Sequence, residues 1–484
     1  MVTIIEQPLH RYCDPLKTSL TSVTAVLQPS ANAMFFESFI LNLFILLVLI
    51  FALIFDYVTK FFSYWYIRHV PYKQAIPFFG SDYHRVTGLR STTDEVNQLY
   101  NQYPEDKFVG CIKSRIPDLI VKDPDAARKI LSTDFSNFHC RGLGLDKSRD
   151  VCLRNNLFYS EGEKWTLLRG RLEALLNNMD VQIEDGLHDC LSGINGDTNV
   201  QQLLSELLDI VFKDLLIGNN AEGSIITCLR KESQQRTYQD KLKGYLKNIF
   251  PSVYILLKLS STKLYEKYQH LMKDTKLYSE IKKAEKITPQ DGKVRIKDTD
   301  ENYTFSILSL FMREGYLPCL KILTSLLFEL SKHPEVQESV RKDSQQLDLA
   351  IKETLRLHPA YSVISRKCVK MYTFAKHDFL VDKGVTITVP VEELHKDEQH
   401  FSEAQSFKPS RFENETPAFV PFGLGPRKCI GEDLAMRIIH TVSSKIVKSF
   451  ALEKCTRTPE KLKTVDHDFI RIIENDVWLK FKPI

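Results

Sequence analysis

The chain has 484 residues, 43% hydrophobic and 26% charged, which is an ordinary globular balance and enough length for one large domain or two to three smaller ones. A formal net charge of +4 is too small to argue for a nucleic-acid partner. The ten cysteines are scattered singly with no C-x-x-C pair, so neither a zinc site nor a regular disulfide framework is indicated, and a reducing compartment fits.

In chain order, residues 1–33 form a weakly patterned N-terminal extension without the positive start and short apolar core of a cleaved signal. Residues 34–58 read as a transmembrane anchor. From Ser38 to Phe55 no charge occurs, and Asn42 is the one strongly polar side chain. Tyr57, Tyr64, Trp65 and Tyr66 follow as an expected interfacial aromatic belt. Lys60, Arg68 and Lys73 come after the span and Glu37 before it, which places the rest of the chain in the cytosol. Residues 59–80 read as a proline-containing hinge, because Pro71 and Pro77 end the helix and stiffen the connector.

From residue 81 to 484 the pattern is mainly helical with a small β region. Asp94–Tyr100 opens a helix, Leu119–Val121 reads as a strand, and 123–131 as a helix with an early proline. Leu203, Leu204, Leu207, Leu208, Val211, Leu215 and Leu216 recur at helical spacing and read as core. Residues 230–300 are rich in lysine and glutamate, which predicts solvated helix faces and a loop near 288–292. The runs Phe379–Val389 and Val477–Phe481 alternate like strands.

Near the end lies Phe422-Gly423-Leu424-Gly425-Pro426-Arg427-Lys428-Cys429-Ile430-Gly431. A cysteine at the start of the following helical pattern feels the positive end of the helix dipole, which favours thiolate. Gly423 and Gly425 allow backbone amides to approach the sulfur. A shielded thiolate of this kind suits an axial iron ligand. The segment resembles the haem-binding loop of the cytochrome P-450 family, F-G-x-G-P-R-x-C-I-G, at every specified position. The resemblance implies the cytochrome P-450 fold, haem b (iron protoporphyrin IX) as cofactor, Cys429 as its thiolate ligand, and Arg427 as partner of a propionate.

Further constellations fit the same family. Trp165 and Arg169 stand at i,i+4 on one helix face, and both donate hydrogen bonds suited to a carboxylate. In the family such a W-x-x-x-R pair binds a propionate, and an arginine at the position of Arg366 does so too. Arg141-Gly142 resembles a segment of insect microsomal members. Glu353 and Arg356 share a helix face. With Arg411 they match a buried Glu-Arg-Arg network that locks the cysteine loop. His395 reads as a structural histidine, since Cys429 already supplies the iron ligand.

One part of the family pattern is missing. The distal helix of most members carries small-Gly-x-acid-Thr, whose acid and hydroxyl organise water and deliver protons while dioxygen is split. The aligned residues are Glu314-Gly315-Tyr316-Leu317-Pro318. Leucine relays no proton, and proline has neither hydroxyl nor N–H and kinks a helix. Glu314 is the remaining acid, with pairing to Arg313 or a polar rim as the plainer reading, and the catalytic residues stay unassigned.

The resemblance implies a membrane-anchored monooxygenase of the endoplasmic reticulum facing the cytosol. It would insert one oxygen atom from dioxygen into an apolar small molecule with electrons from an NADPH-dependent flavoprotein reductase. Lys164, Arg171 and Lys428 are candidates for the face that docks this partner, ordinary surface charge being the alternative. The Leu317-Pro318 replacement leaves open an isomerase or dehydratase of peroxide-type substrates, or a weakly catalytic haem protein. Gly142–Cys152, Val363-Ile364 and the C-terminal strand pair are expected around the pocket.

Overall fold

A computed structural model describes residues 39–77, 79–113, 116–179, 187–218, 224–234, 237–260, 263–287, 296, 298–414 and 416–484. The chain divides into two units, Met1–Phe61 and Phe62–Ile484. The N-terminal extension and the expected loop at 288–292 lie outside the described residues.

Among its described residues the first unit holds one helix, α1 (Phe39–Thr59), of 21 residues. Its large apolar side chains, Phe44, Phe51 and Leu53 among them, are exposed. Among the described residues no helix is long and apolar enough to cross a membrane.

The second unit is mainly helical with a small β region, as expected. β1 (Phe108–Lys113) and β2 (Ile116–Val121) pair antiparallel. β3 is Gly196–Asn199, β4 Ile364–Lys367, β5 Tyr372–Phe374, β6 Phe379–Val381 and β7 Thr386–Val389. β8 (Phe450–Lys454), β9 (Thr464–His467), β10 (Ile470–Ile473) and β11 (Trp478–Pro483) complete the set. The largest sheet runs β1-β2-β7-β4, with β2 parallel to β7, and a second runs β3-β11-β8. The alternating run 379–389 is therefore two strands, not one. Gly384, at φ +100°, bends the chain between them, and they join different sheets.

The aromatic belt expected after the anchor is corrected at two positions. Tyr64 is 6% exposed and Trp65 is 0% exposed, so both belong to the core. Trp65 donates its indole N–H to the Cys111 carbonyl at 2.9 Å and lies on Gly110, where a Cβ would stand 2.4 Å from the ring. The proline-containing stretch continues along this sheet edge, with the Gly110 amide bonded to the Pro71 carbonyl at 2.7 Å.

The helices that position the site are α2 (Gly162–Asn178), α3 (Val200–Phe212), α4 (Asp300–Leu310), α5 (Leu317–Lys332), α6 (Ser344–Leu357) and α7 (Glu432–Ser449). α3 buries the predicted leucine stripe, and Asn199 caps it by accepting the Gln202 amide at 3.1 Å. α5 is buried on nearly every face and packs against α3, α6 and α7, as a helix apolar all round must. Between α4 and α5 the backbone opens into a π turn, Phe311–Tyr316. Pro318 supplies no amide to the carbonyl four residues back. The wider turn absorbs that loss, so Pro318 falls in the first turn of α5, where proline is tolerated.

Candidate active site

The cysteine loop owes its shape to a close approach. Gly425 has φ +68°, and a Cβ there would stand 2.1 Å from the Leu131 carbonyl oxygen. Gly423 also has positive φ, at +72°. The Cys429 amide donates to the Phe422 carbonyl at 2.9 Å, and α7 begins three residues later. The Cys429 side chain is exposed, yet to an internal cavity, with protein on its other sides. Burial pushes its thiol up to about 11, against an opposing backbone hydrogen bond from Gly431. The sequence predicted a lowered value from the helix dipole, with backbone amides brought to the sulfur by the conformations open to Gly423 and Gly425. Desolvation outweighs the dipole, and the amide that reaches the sulfur belongs to Gly431. A coordinated metal would strip this proton outright.

A buried network fixes the chain leading into the loop. Glu353 and Arg356 of α6 are fully buried and form two hydrogen bonds, at 2.8 and 2.9 Å. Glu353 also accepts from Arg411 at 3.0 Å and from the Lys408 amide at 2.9 Å. Arg356 donates to the carbonyls of His395 and Ala404 at 2.6 and 2.7 Å. His395 Nε2 accepts the Val420 amide at 2.9 Å. Burial and then Arg356 lower the His395 imidazole to about 3, so it stays neutral and structural, as read from sequence.

Above the loop lies a cavity of about 430 Å³. Trp165, Arg169, Arg366, Arg427 and Cys429 all line it, so the structure gathers every cofactor-binding residue named from sequence. Arg427 donates to the carbonyls of His139 and Ser160, each at 2.7 Å, and sits 4.7 Å from the Trp165 ring centroid. Arg169 donates to Glu173 at 2.7 Å and to the Lys428 carbonyl at 2.9 Å. Arg141 joins them, stacked 3.5 Å over the Phe158 ring. Sequence reasoning noted Arg141 only as part of a resembling segment, because nothing local to it signals a cavity.

Arg366 is 1% exposed and its Nε has no hydrogen-bond partner. Burial, then Arg141 and Arg427, hold its guanidinium well below the usual arginine range. Burial, with Arg141 next, pulls Arg427 down to about 9. Clustered buried cations without matching anions are costly. The residues present fit a large apolar group that carries two carboxylates and meets a thiol on one face.

The opposite wall is built by the π turn and the start of α5. Glu314, Gly315, Pro318, Cys319 and Ile322 face the cavity. Leu317 is buried and does not line it, so the position aligned with the family acid points away. Glu314 is not paired with Arg313, which pairs with Asp468. Instead Glu314 accepts the phenol of Tyr361, a second cavity residue that sequence reasoning left unassigned. Gly142, Leu143, Val363, Ile364 and Phe469 complete the wall where the pocket was expected.

The expected docking lysines and arginine separate. Arg171 is buried and paired with Glu285 at 2.9 Å, and Lys164 donates to the Arg154 carbonyl at 2.5 Å. Only Lys428 is an exposed charge, paired with Glu432 at 2.6 Å.

The sequence model of the family described as Cytochrome P450 matches residues 70–479. This chain belongs to the cytochrome P450 family. It is similar to "Probable cytochrome P450 28d1" of Drosophila melanogaster, 26% identical over 89% of this chain and 97% of the relative. It is also similar to "Cytochrome P450 6a8" of the same fly, 24% identical over 87% and 96% of the two chains. "Cytochrome P450 6d3" of Musca domestica is 24% identical over 84% and 92%. Cytochromes P450 bind haem b through a cysteine thiolate and are monooxygenase oxidoreductases. The family generally takes electrons from an NADPH-dependent reductase and acts on apolar substrates.

Proposed function

We propose that this chain is a membrane-anchored haem-thiolate monooxygenase that oxygenates an apolar small molecule with electrons from NADPH through a separate flavoprotein reductase. The observation that carries the proposal is the cavity itself, with the Cys429 thiol on one wall and the under-neutralised Arg366 at its edge. Cys429 is the axial ligand in this reading, and Arg366, Arg427, Arg141, Arg169 and Trp165 hold the two propionates. The bound haem supplies the redox chemistry of dioxygen. The chain would fix the ligand through the Glu353–Arg356–Arg411 network, and substrate would lie against a wall that is apolar at Gly315, Pro318 and Ile322 and polar at Glu314 and Tyr361.

The anchor in this reading is α1. What supports this reading is the uncharged run from Ser38 to Phe55, within which only Asn42 is strongly polar. The exposed apolar side chains of α1 suit lipid, the charges after the span favour a cytosolic catalytic unit, and the endoplasmic reticulum membrane is carried over from the family resemblance.

The deciding experiment is the spectrum of the reduced, carbon monoxide-treated protein. The band diagnostic of thiolate ligation is expected in the wild type and absent in Cys429→Ala. Its persistence in the variant would remove the ligand assignment. Product formation that depends on NADPH and reductase completes the test. The absence of a hydroxyl at Pro318 favours one second reading, a rearrangement or dehydration of hydroperoxides, and turnover of a hydroperoxide without reductase would select it.

A further inference from the structure

Oxygenation consumes protons, and the two positions expected to deliver them hold none. In RH + O2 + 2 H+ + 2 electrons → ROH + H2O, the O–O and a C–H bond break while C–O and O–H bonds form. The electrons are those of NADPH, delivered by the reductase of the proposed function. The protons must enter at the cavity wall opposite Cys429. Pro318 has no hydroxyl, Leu317 faces away from the cavity, and the Thr324 hydroxyl is committed to the Leu320 carbonyl at 2.7 Å.

We propose that Glu314 and Tyr361 form the proton-delivering pair of this site, shifted from the usual acid and alcohol positions onto the π turn and the loop after α6. The inference rests on the monooxygenase reading. Glu314 and Tyr361 both line the cavity and are hydrogen-bonded to one another. They come from separate elements, the π turn Phe311–Tyr316 and the chain between α6 and β4. The π turn that accommodates Pro318 is the segment that presents Glu314, so the loss and its replacement share one structural cause.

The pair carries a proton in a definite direction. As the O–O bond breaks, the Glu314 carboxyl proton passes to oxygen in concert with transfer of the Tyr361 hydroxyl proton to Glu314 and of a solvent hydronium proton to Tyr361, which leaves neutral water and restores both groups. Burial and then the Glu314 carboxylate hold the Tyr361 phenol far above its ordinary range, which keeps it a donor at neutral pH. The other groups facing the pair are Arg141 and Cys429 across the cavity, Tyr159, and Arg313, the last engaged by Asp468.

The test uses the haem-loaded full chain with Glu314→Gln and Tyr361→Phe, both close to isosteric. With reductase and a turned-over substrate, product formed per NADPH is expected to fall about tenfold or more in each, while hydrogen peroxide release rises and the reduced carbon monoxide spectrum stays that of a thiolate. A second readout needs no turnover. A pH titration of the ferric absorbance spectrum should show a one-proton transition in the wild type that disappears in Glu314→Gln and moves in Tyr361→Phe. Unchanged coupling and an unchanged transition in both variants overturn the proposal. If Glu314→Gln does not load haem, Tyr361→Phe decides the matter by the same two readouts. If the wild type makes no oxygenated product although its thiolate spectrum is intact, the monooxygenase reading fails. The ferric titration then judges the pair alone, and its absence from the wild type rejects it.

Discussion

Arg366 shows how one side chain records a ligand. A buried guanidinium with an unpartnered Nε beside two more arginines is unfavourable unless an anion joins it. Arg366→Met is therefore expected to act in opposite directions on two measurements. The haem-free protein should gain stability in urea unfolding, at most about 1–4 kcal/mol, the range seen when a whole buried ion pair or triad gives way to apolar residues. Haem should pass faster from the loaded variant to an acceptor protein. A variant that loses stability in the haem-free state would show that Arg366 is already satisfied. Glu353 is the reverse case, an anion satisfying two arginines at once. Glu353→Gln leaves Arg356 and Arg411 without their charge and should cost about 3–5 kcal/mol by chemical denaturation. The Cys429 loop is tied to this network, so haem should be lost more readily as well.

At the scale of the element, α5 follows directly on the π turn and carries a buried base. Lys321 donates to the Pro359 carbonyl at 2.5 Å, and burial pushes its amine down to about 7. Glu392 and Asp466 oppose that shift, while Arg471 and Lys396 add to it. The folded pKa lies below the unfolded one, so above pH 7 the unfolded chain binds a proton that the folded chain lacks. Stability should then rise with pH by up to about 1.4 kcal/mol per unit until the unfolded value is reached. Lys321→Met should remove this contribution to the slope between about pH 7.5 and 9.5, read by urea midpoints across that window. Equal slopes in the two proteins would mean that Lys321 stays protonated inside α5.

For the molecule as a whole, the position of a truncation matters more than its length. A chain beginning at Phe62 keeps Trp65 on Gly110 and should remain in the supernatant after an alkaline carbonate wash, with the thiolate spectrum intact. The full chain should stay with the membrane. A chain beginning at Val70 also lacks Trp65. It should be less stable than the first truncation by about 3–5 kcal/mol, the usual cost of removing a buried tryptophan side chain. Similar stability in the two truncations would place Trp65 outside the folding core.

The sequence by itself determined what is contiguous or periodic. Ten residues around Cys429 carry the ligand loop because its glycines, proline and thiol act through neighbouring backbone. The uncharged run of α1 was legible for the same reason. The tertiary structure decided what depends on desolvation and on partners distant in sequence. Burial lifted the Cys429 thiol where the local dipole predicted a fall. Tyr64 and Trp65 read as an interfacial belt by position but are core, Trp65 because β1 packs against it. Arg141 and Arg366 meet although 225 residues separate them. Leu317 occupies the aligned acid position, yet the π turn rotates the helix so that Glu314 faces the cavity and meets Tyr361. A side chain's chemistry is written locally, but its direction and its dielectric surroundings are set by what the rest of the chain packs around it.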